Sequence, residues 1–364
     1  MKAEGIGLTV VFLKPMITKR ILLAALCFTL SVLVLLGYLF WKNASLNTQL
    51  AKQKVLLARQ VEWMDSLKTS DQVHLMSHTL IQVADELKQS PDRTLSEATI
   101  AQIASISYSL KPYLHVEGDT ISGKELSPER GQLLLMLSRM PMDSSSFSLI
   151  KQKTSFEGAD LTGADLSQAD LSGVDLRNAE LKNANLQKAN LIQANLTHAS
   201  LWGANLNQSR LQGVLATRAD FRWAEMNETD LTGANLHEAD LTSAKLRKAN
   251  LHHAHLQWVD FDGAFLNDAV MDSADLFRAG FYRAQLTGAN LSASNLTFAN
   301  LVETSLHGAD FTGSNLNDAI ISSSAWPEQL QEWDVLGREE IRRIYHVVDH
   351  PSDPALYQLK KKPN

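Results

Sequence analysis

Every fifth residue from Phe156 to Ile321 is apolar, and the register never slips. The positions run Phe156, Leu161, Leu166, Leu171, Leu176 and onward through Phe311 and Leu316, which makes (321 − 156)/5 + 1 = 34 consecutive pentapeptides. A small residue, usually alanine, stands two places before each large one, as at Ala159, Ala164, Ala169, Ala179 and Ala184. The place between them is most often Asp or Asn, as at Asp160, Asp165, Asn185 and Asn190. A fixed short period of this kind predicts a solenoid. It also excludes the ordinary elements. Five residues turn about 500° on an α-helix, so successive leucines would step by roughly 140° and line no face. On a flat strand an odd spacing would flip each leucine to the opposite side. All can point inward only if the backbone bends once per repeat. The large residue then fills the axis, the small one fits beside it, and glycine at the fifth place (Gly163, Gly173, Gly203, Gly213, Gly233, Gly263, Gly313) suits a corner with positive φ.

The repeated Ala-Asp/Asn-Leu-x-x motif resembles the pentapeptide repeat family, whose members form a right-handed, four-sided β-helix. The resemblance implies four repeats per coil, so 34 repeats make about 8.5 coils and, at a strand spacing of ~4.8 Å, a rod about 41 Å long. Departures are few. Ala216 takes the place of a large core residue, beside Val214 and Leu215, and predicts a local irregularity there. Val174, Val259, Thr229 and Thr304 enlarge the small position.

A second apolar pattern lies near the N-terminus. Ile21–Trp41 carries no charge, and Thr29 and Ser31 are its only clearly polar members. As a helix these 21 residues span about 31 Å, matching a bilayer core of ~30 Å. Tyr38 and Trp41 sit at its far end, where amphipathic aromatics settle at an interface. Gly37–Trp41 offers no small-x-small cleavage site, so the segment reads as a transmembrane anchor and not as a signal peptide. Lys14, Lys19 and Arg20 crowd one flank, against Lys42, Lys52, Lys54 and Arg59 on the other. The tighter cluster and the free amino group favour an N-terminus inside and a periplasmic or otherwise extracytoplasmic repeat domain.

The chain therefore divides into an N-terminal flank (1–20), a transmembrane helix (21–41), a helical juxtamembrane and N-cap region (42–150), the β-helix (154–325) and a C-terminal helical cap and tail (326–364). Val73, Met76, Leu80, Val83 and Leu87 follow a helical spacing with Thr69 or Ser70 as cap. Leu50, Leu57 and Met64 continue a heptad-like stripe, compatible with packing within the domain or with a coiled coil that forms a homodimer. Pro91 ends this helix; Thr94 with Glu97 predicts a capping box for a second, running to about Leu110. Ser127-Pro128 opens a third, Glu129 to Arg139. The segment Ser127–Leu134 (SPERGQLL) resembles one found in membrane-linked bacterial pentapeptide proteins. These helices should cap the first coil, since an open solenoid end exposes core and unpaired backbone. At the other end, Trp326 falls on the repeat register, and Leu330, Trp333, Leu336, Ile341, Ile344, Tyr345 and Val348 predict an amphipathic capping helix over 328–348. Lys360, Lys361 and Lys362 read as a solvated, frayed terminus.

Composition narrows the function. A net charge of −6 over 364 residues argues against a general nucleic-acid binder. The lone cysteine, Cys27, lies in the apolar run, so disulfide and cysteine-metal chemistry are excluded. No phosphate loop, Gly-x-Ser-x-Gly or His-Glu-x-x-His motif occurs, and the sequence points to no enzyme activity, cofactor or metal. The Asp/Asn column suits backbone capping at bends. His252, His253 and His255, with His237 a coil earlier, form a histidine patch without clearly placed carboxylate partners. Outward aromatics say more. With a 20-residue coil, Trp258, Phe277 and Phe298 share one side in successive coils and form a candidate protein-contact patch. Trp202, Trp223 and Tyr282 share another, and Asp160, Glu180, Asp220, Asp240, Asp260 and Asp262 make the most acidic side, diluted by Lys182, Arg222 and Arg283. The favoured function is a membrane-tethered, non-enzymatic scaffold or docking surface in the cell envelope, bound to the bilayer by one helix and to an unknown protein partner. The alternative, implied by the resemblance, is a cytoplasmic DNA-mimicking protein that binds topoisomerases.

Overall fold

The register of the core residues becomes a stack of 20-residue coils in the computed structural model, which describes residues 71–117 and 120–363. The chain divides into two units, Met1–Asp85 and Glu86–Asn364. The described part of the first, residues 71–85, lies in helix α1 (Asp71–Gln89), whose Met76, Leu80 and Val83 are buried at helical spacing. No helix among the described residues is long and apolar enough to cross a membrane. The expected span Ile21–Trp41, its flanks, the Leu50–Leu57–Met64 stripe and the Thr69 or Ser70 cap lie outside the described residues.

In the second unit, parallel bridges join each repeat to the one 20 residues on, from Asp160↔Glu180 through Asn300↔Ile320. Four pentapeptides therefore make one coil. Each core residue from Phe156 to Leu301 donates its backbone N–H to the next coil, as Leu161 N to Glu180 O at 2.7 Å, while Glu180 N returns a bond to Ala159 O at 2.9 Å. Each corner closes with a bond from residue i+3 to i, such as Ala164 N to Leu161 O at 3.0 Å. The corner residue is left-handed at every repeat, whether glycine (Gly163, φ 64°) or not (Gln168, φ 61°; Asn178, φ 57°). This is the type II turn, whose second central residue needs positive φ. Sides this short contribute one bridge residue each, so the all-β solenoid consists of turns and bridges, not long strands. The large residues are buried throughout, as are the alanines beside them except the half-buried Ala169, and Phe261 and Phe281 stack across successive coils with ring centroids 5.2 Å apart.

The expected irregularity at Ala216 is absent. Ala216 is fully buried, bonds Asn235 O at 2.7 Å, and Leu215 turns outward with 45% of its surface exposed. Inter-coil backbone bonds hold the register even where one core side chain is small. At the enlarged small positions, the Thr229 and Thr304 hydroxyls donate to Leu206 O (2.8 Å) and Phe281 O (2.9 Å), so neither buries an unpaired hydroxyl.

Before the first coil stand α2 (Glu97–Ser109), the hairpin β1 (Tyr113–Glu117) and β2 (Thr120–Leu126), α3 (Pro128–Arg139) and α4 (Ser144–Lys153). The cap of α2 is Ser96, which accepts from Thr99 N, and not Thr94; the Thr94 hydroxyl instead faces Ser90 Oγ at 3.1 Å. The hairpin and α4 were not apparent in the sequence. Ser127 serves twice: it caps α3 and bridges Ala159 as if it belonged to a preceding coil. Gly131 lets α3 approach the first coil, since a Cβ there would sit 1.9 Å from Asp160 O. Arg130 donates to Ser107 O at 3.0 Å and to Glu157 O. The SPERGQLL segment is thus the joint between helical cap and solenoid.

The far cap differs from the continuous helix expected over 328–348. It comprises β3 (Ile320–Ile321), α5 (Trp326–Glu332), α6 (Arg338–Ile344), β4 (Tyr345–Asp349) and β5 (Tyr357–Lys361), with β5 between β3 and β4. The helix breaks because Leu336 bridges Asp310 in the last coil and Gly337 turns left-handed against Thr312. Trp326, Leu330, Val335 and Leu359 are buried. The lysine tail is ordered and not frayed: Lys360 pairs with Asp318, and Lys362 Nζ donates to Arg342 O at 2.7 Å.

Candidate functional site

Left-handed corners aim side chains outward, and corners 20 residues apart stack one coil above the next. Trp258, Arg278 and Phe298 occupy three such corners, with φ of 60°, 58° and 60°. Phe277 precedes Arg278. Its ring lies 6.3 Å from Trp258 and 5.7 Å from Phe298, edge to face with both. The structure therefore brings the three expected aromatics together. It adds a fourth member that a search for aromatics alone passes over: the Arg278 guanidinium lies 4.5 Å from the Trp258 ring, 5.1 Å from Phe298 and 5.5 Å from Phe277. Its position midway between Trp258 and Phe298 on the 20-residue register was the available signal. Trp258 and Phe298 keep 48% and 37% of their surface exposed.

The second aromatic set does not assemble. Trp202 and Trp223 are exposed, but neither they nor Tyr282 have a ring neighbour among the described aromatic pairs; Tyr282 instead lies under Arg283, 4.7 Å away.

The acidic side is a row of carboxylates threaded with cations. Asp220, Asp240 and Asp260 follow one another along one line of bridges, and Arg222 reaches Asp220 at 2.8 Å and Asp240 at 3.5 Å. Glu180 has Lys182 at 3.3 Å and Lys124 at 3.6 Å. Arg283 pairs with Glu303 and not with this row. Asp262 carries the tension: burial first, and then the Asp260 charge, push its carboxyl above the ordinary range.

The Asp/Asn column caps the backbone, as when Asp160 Oδ1 accepts from Thr162 N at 3.1 Å. It also ladders between coils: Asn190 Nδ2 donates to Asp170 Oδ1 at 2.9 Å and Asn295 Nδ2 to Asp275 Oδ1 at 2.8 Å. In the histidine patch His252 does have a carboxylate, Asp272 one coil on at 2.7 Å, and its ring centroid lies 3.9 Å from that of His253. Among the described residues no group of three or more His, Cys, Asp or Glu side chains is placed to hold a metal ion.

Profile comparison matches pentapeptide repeats, in eight copies, at residues 152–178, 175–213, 217–252, 254–292 and 284–324. The segment between the second and third of these is the one around Ala216, where the coil is nonetheless continuous. HetL, a pentapeptide repeat protein involved in heterocyst differentiation regulation in the cyanobacterium Nostoc sp. strain PCC 7120, is 31% identical. The match covers 46% of this chain and 87% of HetL, with a TM-score of 0.27. The chain belongs to the pentapeptide repeat family. A pentapeptide repeat protein of the Arabidopsis thaliana thylakoid lumen is 28% identical over 30% of this chain and 74% of its own, with a TM-score of 0.24. A trypsin-treated form of QnrB1, a plasmid-mediated fluoroquinolone resistance protein, is 16% identical over 49% of this chain and 97% of its own, with a TM-score of 0.40. Among curated proteins none matches. In this pentapeptide repeat protein four repeats make each coil, and the residues carrying its aromatic strip are side chains that the repeat motif itself leaves free.

Proposed function

We propose that this pentapeptide repeat protein is a membrane-tethered, non-enzymatic scaffold that docks a partner protein on the strip formed by Trp258, Phe277 and Phe298. The observation that carries the reading is the strip itself. The Phe277 ring touches both Trp258 and Phe298, which stand on corners two coils apart, and these two keep over a third of their surface exposed. Exposed, contiguous aromatic surface is the composition of interface hot spots. The tether rests on the uncharged run Ile21–Trp41. The DNA-mimic alternative needs an unbroken anionic face, whereas the carboxylates here are held by Arg222, Lys182, Lys124 and Lys245.

The test replaces Trp258, Phe277 and Phe298 together by alanine in the full-length chain. Each desolvated aromatic contributes about 2 kcal/mol or more at an interface, so co-purification of the partner should be lost. The rings lie outside the solenoid core, so the melting temperature should stay close to that of the parent. Unchanged co-purification would remove the strip from the function.

A further inference from the structure

Arg278 is set apart from the other arginines of the solenoid by what surrounds it. Arg177, Arg218, Arg222 and Arg283 each hold a carboxylate, at 2.6–2.8 Å. Arg278 has no carboxylate within salt-bridge distance among the described residues, and three rings frame its guanidinium instead. The carboxylates that flank the strip are engaged elsewhere. Glu238, one coil before Trp258, pairs with Arg218 at 2.6 Å. Asp318, one coil after Phe298, pairs with Lys360. Asp275, two residues before Phe277, accepts from Gln257 at 2.6 Å and from Asn295 at 2.8 Å. The result is an exposed cation, its orientation restricted by rings, with no acid of its own second unit to answer it.

Building on the docking reading above, we infer that Arg278 is an anion-recognition residue and that the strip takes an acidic segment of a partner protein, one that places an Asp or Glu carboxylate on the guanidinium and apolar side chains on the rings. The guanidinium presents a planar fork of donors that matches a carboxylate with two parallel hydrogen bonds. Rings on its faces leave that fork at the edge, limit its rotamers before binding and thin the water around it, so the pair forms at reduced entropic cost and in a lower dielectric. Phosphate-rich partners fit poorly. The chain carries a net charge of −6, and the strip holds one cation with carboxylates nearby, where a nucleic acid or an anionic bilayer needs several. Arg247 provides an internal comparison: it is an exposed solenoid arginine with neither a carboxylate nor a ring among its described contacts.

The experiment uses the full-length chain in its native cells, with the photo-crosslinker p-benzoylphenylalanine at Thr297, which lies beside Phe298 and one coil from Phe277. Mass spectrometry maps the captured site, and a synthetic peptide of the captured segment is then titrated calorimetrically against the purified protein. The expected result is a protein segment with Asp or Glu at the contact. Its affinity should fall about thirtyfold or more with Arg278→Gln. Replacing its acid by the amide should cost the same, Arg247→Gln should cost nothing, and Arg278→Glu should be rescued by an acid-to-Arg change in the peptide. A segment without an acid, a lipid or nucleic-acid adduct, or an affinity indifferent to Arg278→Gln would overturn the inference. If binding then still fell with the triple alanine variant, the docking reading would survive alone. A sample with no adduct at all would end both.

Discussion

At the scale of single residues, the pentapeptide assigns each position a distinct physical job, and the jobs are separable by mutation. Leu236 is wholly buried on the axis. Leu236→Asp would strand a charge there and should cost more than roughly 3 kcal/mol, whereas Ala234→Leu should overpack the small position by about 1–3 kcal/mol. Thr232, outward in the same repeat, looks free in the sequence but is not: its hydroxyl donates to Asp230 at 2.6 Å and accepts from Asn250 at 2.8 Å. A carboxylate there would face Asp230, so the neutral control is Arg247→Ala, expected within about 0.5 kcal/mol by thermal or urea melts. Titration gives a second handle. Asp262 has its folded pKa raised, first by burial and then by Asp260, so it favours folding while protonated, and that contribution is lost as pH rises through the folded value. Glu225 runs the other way: the bond from Lys245 lowers its pKa, and the stability it adds is lost on acidification. Asp262→Asn should therefore raise the melting temperature near neutral pH, and the gain should vanish by about pH 3, where Asp262 is protonated in both folded and unfolded states. An equal gain at both pH values would refute the titration account.

At the scale of elements, what holds each end of the solenoid is the less obvious part. Strand β5 lies between β3 and β4, so it covers the last coil and supplies the fully buried Leu359. Ending the chain after Leu356 should bare the edge of β3, leave a void where Leu359 sat, and lower the melting temperature with concentration-dependent aggregation. A truncated chain that stayed monomeric with parent stability would show the strand to be dispensable. This element was invisible in the sequence because Tyr357–Lys361 ends in lysines. Its strand character comes from pairing with Ile320, which is distant in sequence, and with Val347 across the 350–356 connection. The solenoid, by contrast, was legible to the residue, because its signal repeats 34 times and each copy constrains the same side chain to the same axis. Helix α3 could be placed from Ser127-Pro128, a purely local capping rule. The cap of α2 was missed by two residues, since Ser96 and Thr94 offer the same chemistry and only the acceptance from Thr99 N decides between them. In the strip, the ring positions followed from the coil length, but Arg278 did not, since charge at a corner usually means only solvation.

At the scale of the whole molecule, the proposed function asks the solenoid to present the strip and the apolar run to set where it is presented. Inserted as a helix, Ile21–Trp41 would remove some twenty apolar side chains from water, a gain far larger than any exposed strip could supply. The full-length protein should therefore sediment with membranes and need detergent for release, while a chain lacking residues 1–42 should be soluble and keep the β-type spectrum of its coils. Recovery of the intact chain in the soluble fraction would remove the tether from the proposed function. Which side the strip faces is a separate question of charge. Lys14, Lys19 and Arg20 cluster before the run, more tightly than Lys42, Lys52, Lys54 and Arg59 beyond it, so the proposed orientation keeps the residues before the run inside and the coils across the bilayer. A reporter fused after Asn364 should then be active only outside the cytoplasm. Activity inside would place Arg278 and its rings among cytosolic partners and reopen the topoisomerase-binding alternative. Arg222→Ala would then discriminate between the two. It unmasks Asp220 and Asp240, so it should strengthen binding to a DNA-reading partner and leave an acidic segment on the Arg278 strip untouched.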